Sequence, residues 1–189
     1  MQTVRVRTKL LPLAVAAAAM MLCACKNAPP LDSKEAARDE IAVYTAAYRE
    51  FVGAEFRPDT SAETLYIAAQ YQGRGDEAEM IEYLRPEVGE PLARAYARAN
   101  SRGGWHAGPP VTARAHVVFA ADTVLPRAIE YHAPVLNFSR PGFNASRDTA
   151  LVEIGVRCGG LCGHWGMQLL VKGRDGRWYV RKRFFDAVA

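Results

Sequence analysis

The amino-acid sequence predicts an α+β domain in which helices dominate the first part and strands the last. Apolar residues at helical spacing are concentrated early in the chain, whereas strict alternation dominates its last third. Near the C-terminus, Asp175-Gly176 lies between two apolar runs, which is typical of an antiparallel hairpin. Helices gathered early and consecutive strands late indicate N-terminal helices packed on one face of a largely antiparallel sheet, with a C-terminal β-hairpin.

Residues 1–24 have the layout of a secretory signal peptide. Three basic residues open the segment, namely Arg5, Arg7 and Lys9. The apolar run that follows, residues 10–22, has 13 residues. Because a helix needs roughly 20 residues to cross a bilayer core, the run is too short for a permanent transmembrane helix. We therefore expect an exported protein.

The end of this leader resembles the bacterial lipobox. Leu22 stands three residues before Cys25, and the small residue Ala24 directly precedes that cysteine. The resemblance implies cleavage before Cys25 and lipidation of its thiol; the alternative is an ordinary signal peptide that leaves Cys25 a free thiol. Two or three acyl chains bury enough methylene groups to hold a domain at a membrane. Lys26 follows the anchor, which by resemblance to sorting rules implies the periplasmic face of the outer membrane, with the inner membrane as the alternative.

Removal of the leader changes what the charge implies about partners. The full chain has 24 basic and 20 acidic residues, and the leader holds three of the basic ones and none of the acidic ones. The mature chain therefore has 21 basic and 20 acidic residues, a formal charge of +1, which argues against a nucleic-acid partner. Residues 25–31 form a tether, and residues 32–189 have the size of one domain. We expect contact with the membrane through the lipid, and an envelope protein or small ligand as partner.

Periodicity and turn residues place the elements of this domain. Asp32 and Glu35 have the spacing of a capping box, and the apolar positions after them predict a helix to about residue 52. Further helices are predicted at residues 76–84, 88–100 and 122–131, with Pro86 separating the first two. Strands are predicted at residues 64–71, 112–119, 135–139, 150–157, 167–172 and 178–184. Residues 100–110, rich in glycine and proline, are expected to form a loop.

Three short motifs lie in the last 50 or so residues. Residues 138–144 read F-S-R-P-G-F-N, residues 158–163 read C-G-G-L-C-G, and residues 176–178 read G-R-W. Together they resemble a family of exported bacterial proteins of uncharacterised function that end in F-S-R-x-G-F-N, C-G-x-L-C-G and G-x-W. The G-x-W turn is also similar to one in the cone-shaped domains of the nuclear transport factor two-like superfamily. These resemblances imply export and fold; they transfer no catalytic residue, so the catalytic residues stay unknown.

Cys158 and Cys162 are the cysteines that remain in the mature domain once Cys25 is acylated. In an oxidising compartment such a pair predicts a disulfide. One alternative is a redox-active dithiol, although the C-x-x-C spacing of thioredoxin-like proteins is missing. The other is a metal site completed by His164, for which the sequence offers no evident fourth ligand. We therefore predict a structural disulfide, no metal and no cofactor.

His164 and Trp165 are the candidate binding residues. They follow the cysteine pair, where a rigid loop would present an exposed aromatic patch; the alternative is that Trp165 covers the edge of the core. Glu153, on an otherwise apolar strand, is either a buried general acid or base or a residue of the solvated face. Because no nucleophile motif is present, we expect a non-enzymatic envelope module, with a periplasmic hydrolase or redox enzyme as the alternative.

Overall fold

The computed structural model describes residues 34–54, 64–111, 117–121, 134–157 and 163–188. Three helices lie in these ranges: α1 Lys34–Ala54, α2 Glu77–Val88 and α3 Glu90–Asn100. The strands are β1 Leu65–Ala68, β2 Gln70–Tyr71, β3 Gly104–Trp105, β4 Val117–Ala120, β5 Val135–Phe138, β6 Gly142–Phe143, β7 Thr149–Arg157, β8 Gly163–Lys172 and β9 Trp178–Val188. The predicted α+β class is confirmed.

Seven strands form the main sheet, in the order β4-β1-β5-β7-β8-β9, and β6 pairs with β7 beside β5. Strand β1 runs parallel to both β4 and β5, whereas the pairs from β5 to β9 are antiparallel. The largely antiparallel sheet and the terminal hairpin therefore agree with the sequence. Strands β2 and β3 form a separate antiparallel ribbon.

Alternation along β7 divides its side chains between two faces of the sheet, and a helix packs on each face. On the first face, Ala150, Val152, Ile154 and Val156 pack against Val43, Tyr44, Ala47, Tyr48 and Phe51 of α1. On the second face, Leu151 packs with Leu92, Ala93 and Tyr96 of α3. We call these the α1 face and the α3 face. The expectation that the helices lie on one face is wrong, because β7 is apolar on both sides where α3 covers it.

Several boundaries differ from the predicted ones, since β8 begins at Gly163 rather than at 167 and β9 ends at Val188 rather than at 184. Two further differences have a clear physical reason. Pro86 lies inside α2, and the helix ends at Gly89, whose φ of 78° is a left-handed conformation that glycine adopts without a steric penalty. The Gly89 N–H donates to the Arg85 carbonyl at 3.0 Å and closes the helix. The prediction that Pro86 separates the helices is therefore wrong. The predicted strand 64–71 is also divided at Ala69, because β1 stays in the main sheet while β2 pairs with β3.

Some predictions fall outside the described residues. They concern the leader and tether, the lipidation of Cys25, the pairing of Cys158 with Cys162, the helix at 122–131, and residues 112–116 of a predicted strand. The expected loop at 100–110 is described, and it contains the short strand β3.

Helix α3 approaches the sheet backbone to backbone at Gly142. A Cβ atom at residue 142 would clash with the backbone of Tyr96 and lie 2.7 Å from its Cβ. Tyr96 is buried, so the helix rests directly on β6 at this point. The absence of a side chain at Gly142 therefore decides how closely α3 packs on the sheet.

Gly142→Ala should lower the free energy of unfolding by about 1 to 3 kcal/mol, because the obstructing atoms belong to a packed helix backbone. Gly108→Ala is the matched control: its Cβ would meet the end of the Ile41 side chain, with Cδ1 at 3.0 Å, and that side chain can rotate. Urea unfolding of both variants measures the difference. Equal losses would show that α3 is not held by this contact.

Candidate functional site

A cleft of about 450 Å³ opens on the α3 face of the sheet. Strand registers bring its floor together, since Asn137 of β5 pairs with Gly155 of β7, and Gly155 pairs with Trp165 of β8. Ala68 at the end of β1 also lines the floor. Gly155 and Ala68 contribute almost no side chain, so the space above them stays open.

One wall of the cleft is the segment that leaves β2 toward α2. Tyr71 and Arg74 line the cleft from this segment. At Gly73 the backbone passes so close to another loop that a Cβ atom would lie 2.7 Å from the Gly103 nitrogen. The Arg74 N–H donates to the Asn100 carbonyl at 2.8 Å. These contacts fix the wall to the C-terminal end of α3.

Arg74 and Glu153 form an ion pair between this cleft and a smaller cavity of about 150 Å³. The Glu153 side chain is 17% exposed, so it lies neither in the core nor on a freely solvated face. Burial raises its pKa, and the Arg74 guanidinium opposes that rise. The Glu153 N–H donates to Ser139 Oγ at 2.8 Å, which ties the hydroxyl to the same strand.

Trp165 lines both cavities and is 39% exposed. Two glycines make room for its indole: a Cβ at Gly155 would lie 3.1 Å from Trp165 Cβ, and one at Gly163 would lie 3.1 Å from Cζ3. His164 lies on the α1 face, where its ring centroid is 5.5 Å from that of Phe51. The expected loop is therefore the start of strand β8, and the structure does not bring His164 and Trp165 together.

A buried polar cluster lies beneath α1, away from the cleft floor. Tyr44 Oη donates to Glu40 Oε1 at 3.1 Å and lies 2.7 Å from His106 Nδ1. Because the hydroxyl has one proton, it accepts from His106 Nδ1–H while it donates to the carboxylate. Glu40 also accepts from the Ala107 N–H at 2.9 Å and faces Arg140 Nε at 3.5 Å. The cluster fixes α1 to the segment after β3.

Burial dominates the ionisation of this cluster. The pKa of His106 is lowered from 6.5 to about 4, first by burial and then by the charge of Arg140. Burial and the neighbouring Glu40 carboxylate raise the pKa of Tyr44 well above its ordinary value. His106 is therefore neutral near pH 7, which suits a structural hydrogen bond.

Sequence reasoning singled out Trp165 and Glu153 but missed Arg74, Asn137 and Arg157 in the cleft, and also the cluster around His106. Asn137 carries a signal, because a polar residue inside a short apolar strand needs a reason. No local signal marks Arg74 or Arg157. Their place depends on which strands are neighbours and in what register.

Comparison of the chain with protein-family models, curated proteins and solved structures found no match. The resemblance of its C-terminal motifs to an exported family stays a prediction. No helix in the described ranges is long and apolar enough to cross a membrane. Within the same ranges, no group of three or more His, Cys, Asp or Glu side chains is placed to hold a metal ion.

The groups that the cleft presents to a ligand are an indole, side-chain amides and guanidinium groups.

Lowering the pH from about 6.5 toward about 4 should reduce the free energy of unfolding. The reason is that His106 has a pKa of about 4 in the folded chain and 6.5 in the unfolded chain, so the unfolded chain takes up the proton first. The contribution is complete above the unfolded pKa and is lost as the pH falls toward the folded value. Its upper limit is about 3 kcal/mol. Urea unfolding at several pH values measures it. His106→Asn should be less stable near neutral pH but should lose part of this slope; an unchanged slope would assign the effect to other groups.

Proposed function

We propose that the protein is an exported, lipid-anchored module of the bacterial cell envelope that binds a small polar ligand in the cleft beside Trp165. The observation that carries this proposal is the partly exposed indole at the junction of two cavities, for which Gly155 and Gly163 leave room. Large apolar groups beside a few convergent polar groups are characteristic of ligand sites. The larger cavity, about 450 Å³, lies within their usual size range.

The floor of the cleft suits binding because it rests on paired strands rather than on loops. Asn137, Gly155 and Trp165 belong to three neighbouring strands of one sheet. Groups held on such elements keep their positions before a ligand arrives, and this lowers the entropic cost of binding. Trp165 therefore provides a preformed apolar surface with polar groups beside it.

Several features favour binding over catalysis. Among the described residues, those that line the cleft include no histidine, cysteine or lysine. Glu153 is engaged by Arg74, and Ser139 Oγ accepts a backbone hydrogen bond from Glu153. A general base needs a free carboxylate within reach of a substrate proton, and an activated hydroxyl needs a base beside it. The polar groups here stabilise one another instead.

The anchoring part of the proposal comes from the leader and its lipobox-like end at Cys25. A lipid on that residue would hold the domain at the periplasmic face of a membrane, most simply the outer one, without a spanning helix. In that position the ligand is a soluble envelope component or a group on an envelope protein.

Cys25→Ser should release the protein from the membrane fraction or leave it as unprocessed precursor, because the proposed anchor is one acylated thiol. Membrane fractionation and intact mass of the protein measure this. Cys23→Ser is the matched control and should leave both properties unchanged. A Cys25→Ser protein whose mass differs from the wild type only by the exchange of sulfur for oxygen, and which stays membrane-bound, would overturn the lipoprotein assignment.

Trp165→Ala should abolish ligand binding in the cleft, whereas Trp105→Ala should not. Trp105 is the matched control because it is 61% exposed on the separate ribbon. Ligand-observed NMR with a library of polar metabolites detects binders, and far-UV circular dichroism shows that both variants fold. We expect hits that disappear with Trp165→Ala. A set of binders that is insensitive to this substitution, or a library without binders, would contradict the proposed site.

A further inference from the structure

The charges that line the cleft do not balance. Arg74 and Glu153 compensate each other in an ion pair. Arg157, the last residue of β7, lines the same cleft and is exposed, and no acidic partner approaches it among the described residues. The cleft therefore has one guanidinium group in excess. A guanidinium presents several N–H donors in a planar arrangement that fits a carboxylate.

The neutral polar groups of the cleft both donate and accept hydrogen bonds. The amide of Asn137 lies half-buried in the floor, and its Nδ2 donates to the Val135 carbonyl at 3.3 Å. The second N–H of this side-chain amide and its oxygen, Oδ1, make no hydrogen bond to described residues. The exposed amide of Gln72 lies in the wall. A flat, wholly apolar ligand would leave the Asn137 groups buried and unpaired, which costs binding free energy.

The surface of Trp165 completes the pattern. The face of an indole carries negative potential and attracts polarised C–H groups. One side of a pyranose ring presents such C–H groups, while its hydroxyls at the rim donate and accept hydrogen bonds. A sugar ring can therefore pack its C–H groups on the indole while its hydroxyls form hydrogen bonds with the amides.

From this combination we infer that the ligand of the cleft is an acidic sugar, with its ring packed on Trp165, its hydroxyls bonded to Asn137 and Gln72, and its carboxylate paired with Arg157. This inference rests on the proposed function of the cleft and names the class of ligand. A carboxylate paired with a guanidinium forms charge-assisted hydrogen bonds, which are stronger than neutral ones.

The test compares sugars that differ only in the acidic group. The full chain, expressed with its leader and purified in detergent, is titrated with the methyl glycosides of glucuronic and galacturonic acid and with those of glucose and galactose. N-acetylmuramic acid and N-acetylglucosamine form a third pair. Isothermal titration calorimetry should show one acid binding at least about tenfold more tightly than its neutral counterpart, as expected for a charge-assisted bond.

Variants then assign the preference to particular residues. Arg157→Gln should reduce the ratio of the affinities for the acid and the neutral sugar to about one. Arg181 is an exposed residue of β9 outside the cleft, so Arg181→Gln should leave this ratio unchanged. Trp165→Ala should abolish binding of both members of a pair. Added salt should weaken the binding of the acidic sugar and leave the binding of the neutral sugar unchanged.

Three results would overturn the inference. Equal affinity for the acid and its neutral counterpart, or a preference that survives Arg157→Gln, would exclude the carboxylate–Arg157 pair. Failure of every sugar to bind, while a library compound binds in a Trp165-dependent manner, would reject the ligand class and leave the proposed binding site standing. If no compound of any class depends on Trp165, the binding site fails together with its ligand.

Discussion

The buried side chain of Asn100, at the end of α3, holds three segments of the chain together. Its Nδ2 donates to the carbonyls of Arg140 and Tyr96 at 2.8 and 2.9 Å, and its Oδ1 accepts from the Arg140 N–H at 2.8 Å. Its own carbonyl accepts from the Arg74 N–H. Asn100 is fully buried, so each of these groups would lack water if the partner were lost. The end of α3, the segment between β5 and β6 and the wall of the cleft therefore keep one arrangement.

The position of α3 decides where the sheet is left uncovered. Gly142 lets the helix backbone meet β6, and Asn100 fixes its C-terminal end. The helix covers Leu151, whereas Gly155, four residues farther along the same strand, lies in the cleft floor. The cleft is thus the part of the α3 face that a short helix does not reach. Its opening is a consequence of packing elsewhere in the fold.

The sequence predicted most of the local structure, since local patterns depend on near neighbours. The spacing after Asp32 predicted α1, alternation predicted β7, and Asp175-Gly176 predicted the turn before β9. The division of helices between two faces was not predicted, because alternation marks only one face of β7 as apolar. On the other face Leu151 is followed by Glu153, Gly155 and Arg157, which give no sign that a helix covers Leu151. The end of α2 was not predicted either, because the helix accommodates Pro86 and ends at Gly89, which has a positive φ.

The cleft was less predictable than the fold for a physical reason. Asn137, Gly155 and Trp165 are far apart in the sequence and become neighbours only through the registers of β5, β7 and β8. A shift of one residue in either register would turn one of these side chains to the other face. Trp165 was singled out because it follows the pair of cysteines Cys158 and Cys162, whereas Arg157 has no local mark.

Basic residues elsewhere in the domain pair with buried carboxylates, whereas the cleft contains an arginine without such a partner among the described residues. Asp39 of α1 receives Arg147 Nε at 3.1 Å and Lys172 Nζ at 2.9 Å. Glu40, one residue later, faces Arg140 as part of the cluster beneath α1. A carboxylate buried in this way requires a cation, because its desolvation is not otherwise compensated. These basic residues therefore neutralise buried carboxylates of the fold. Arg157 forms no such ion pair with the described residues. Because it lines the cleft, its charge can pair with a ligand without breaking a contact among those residues.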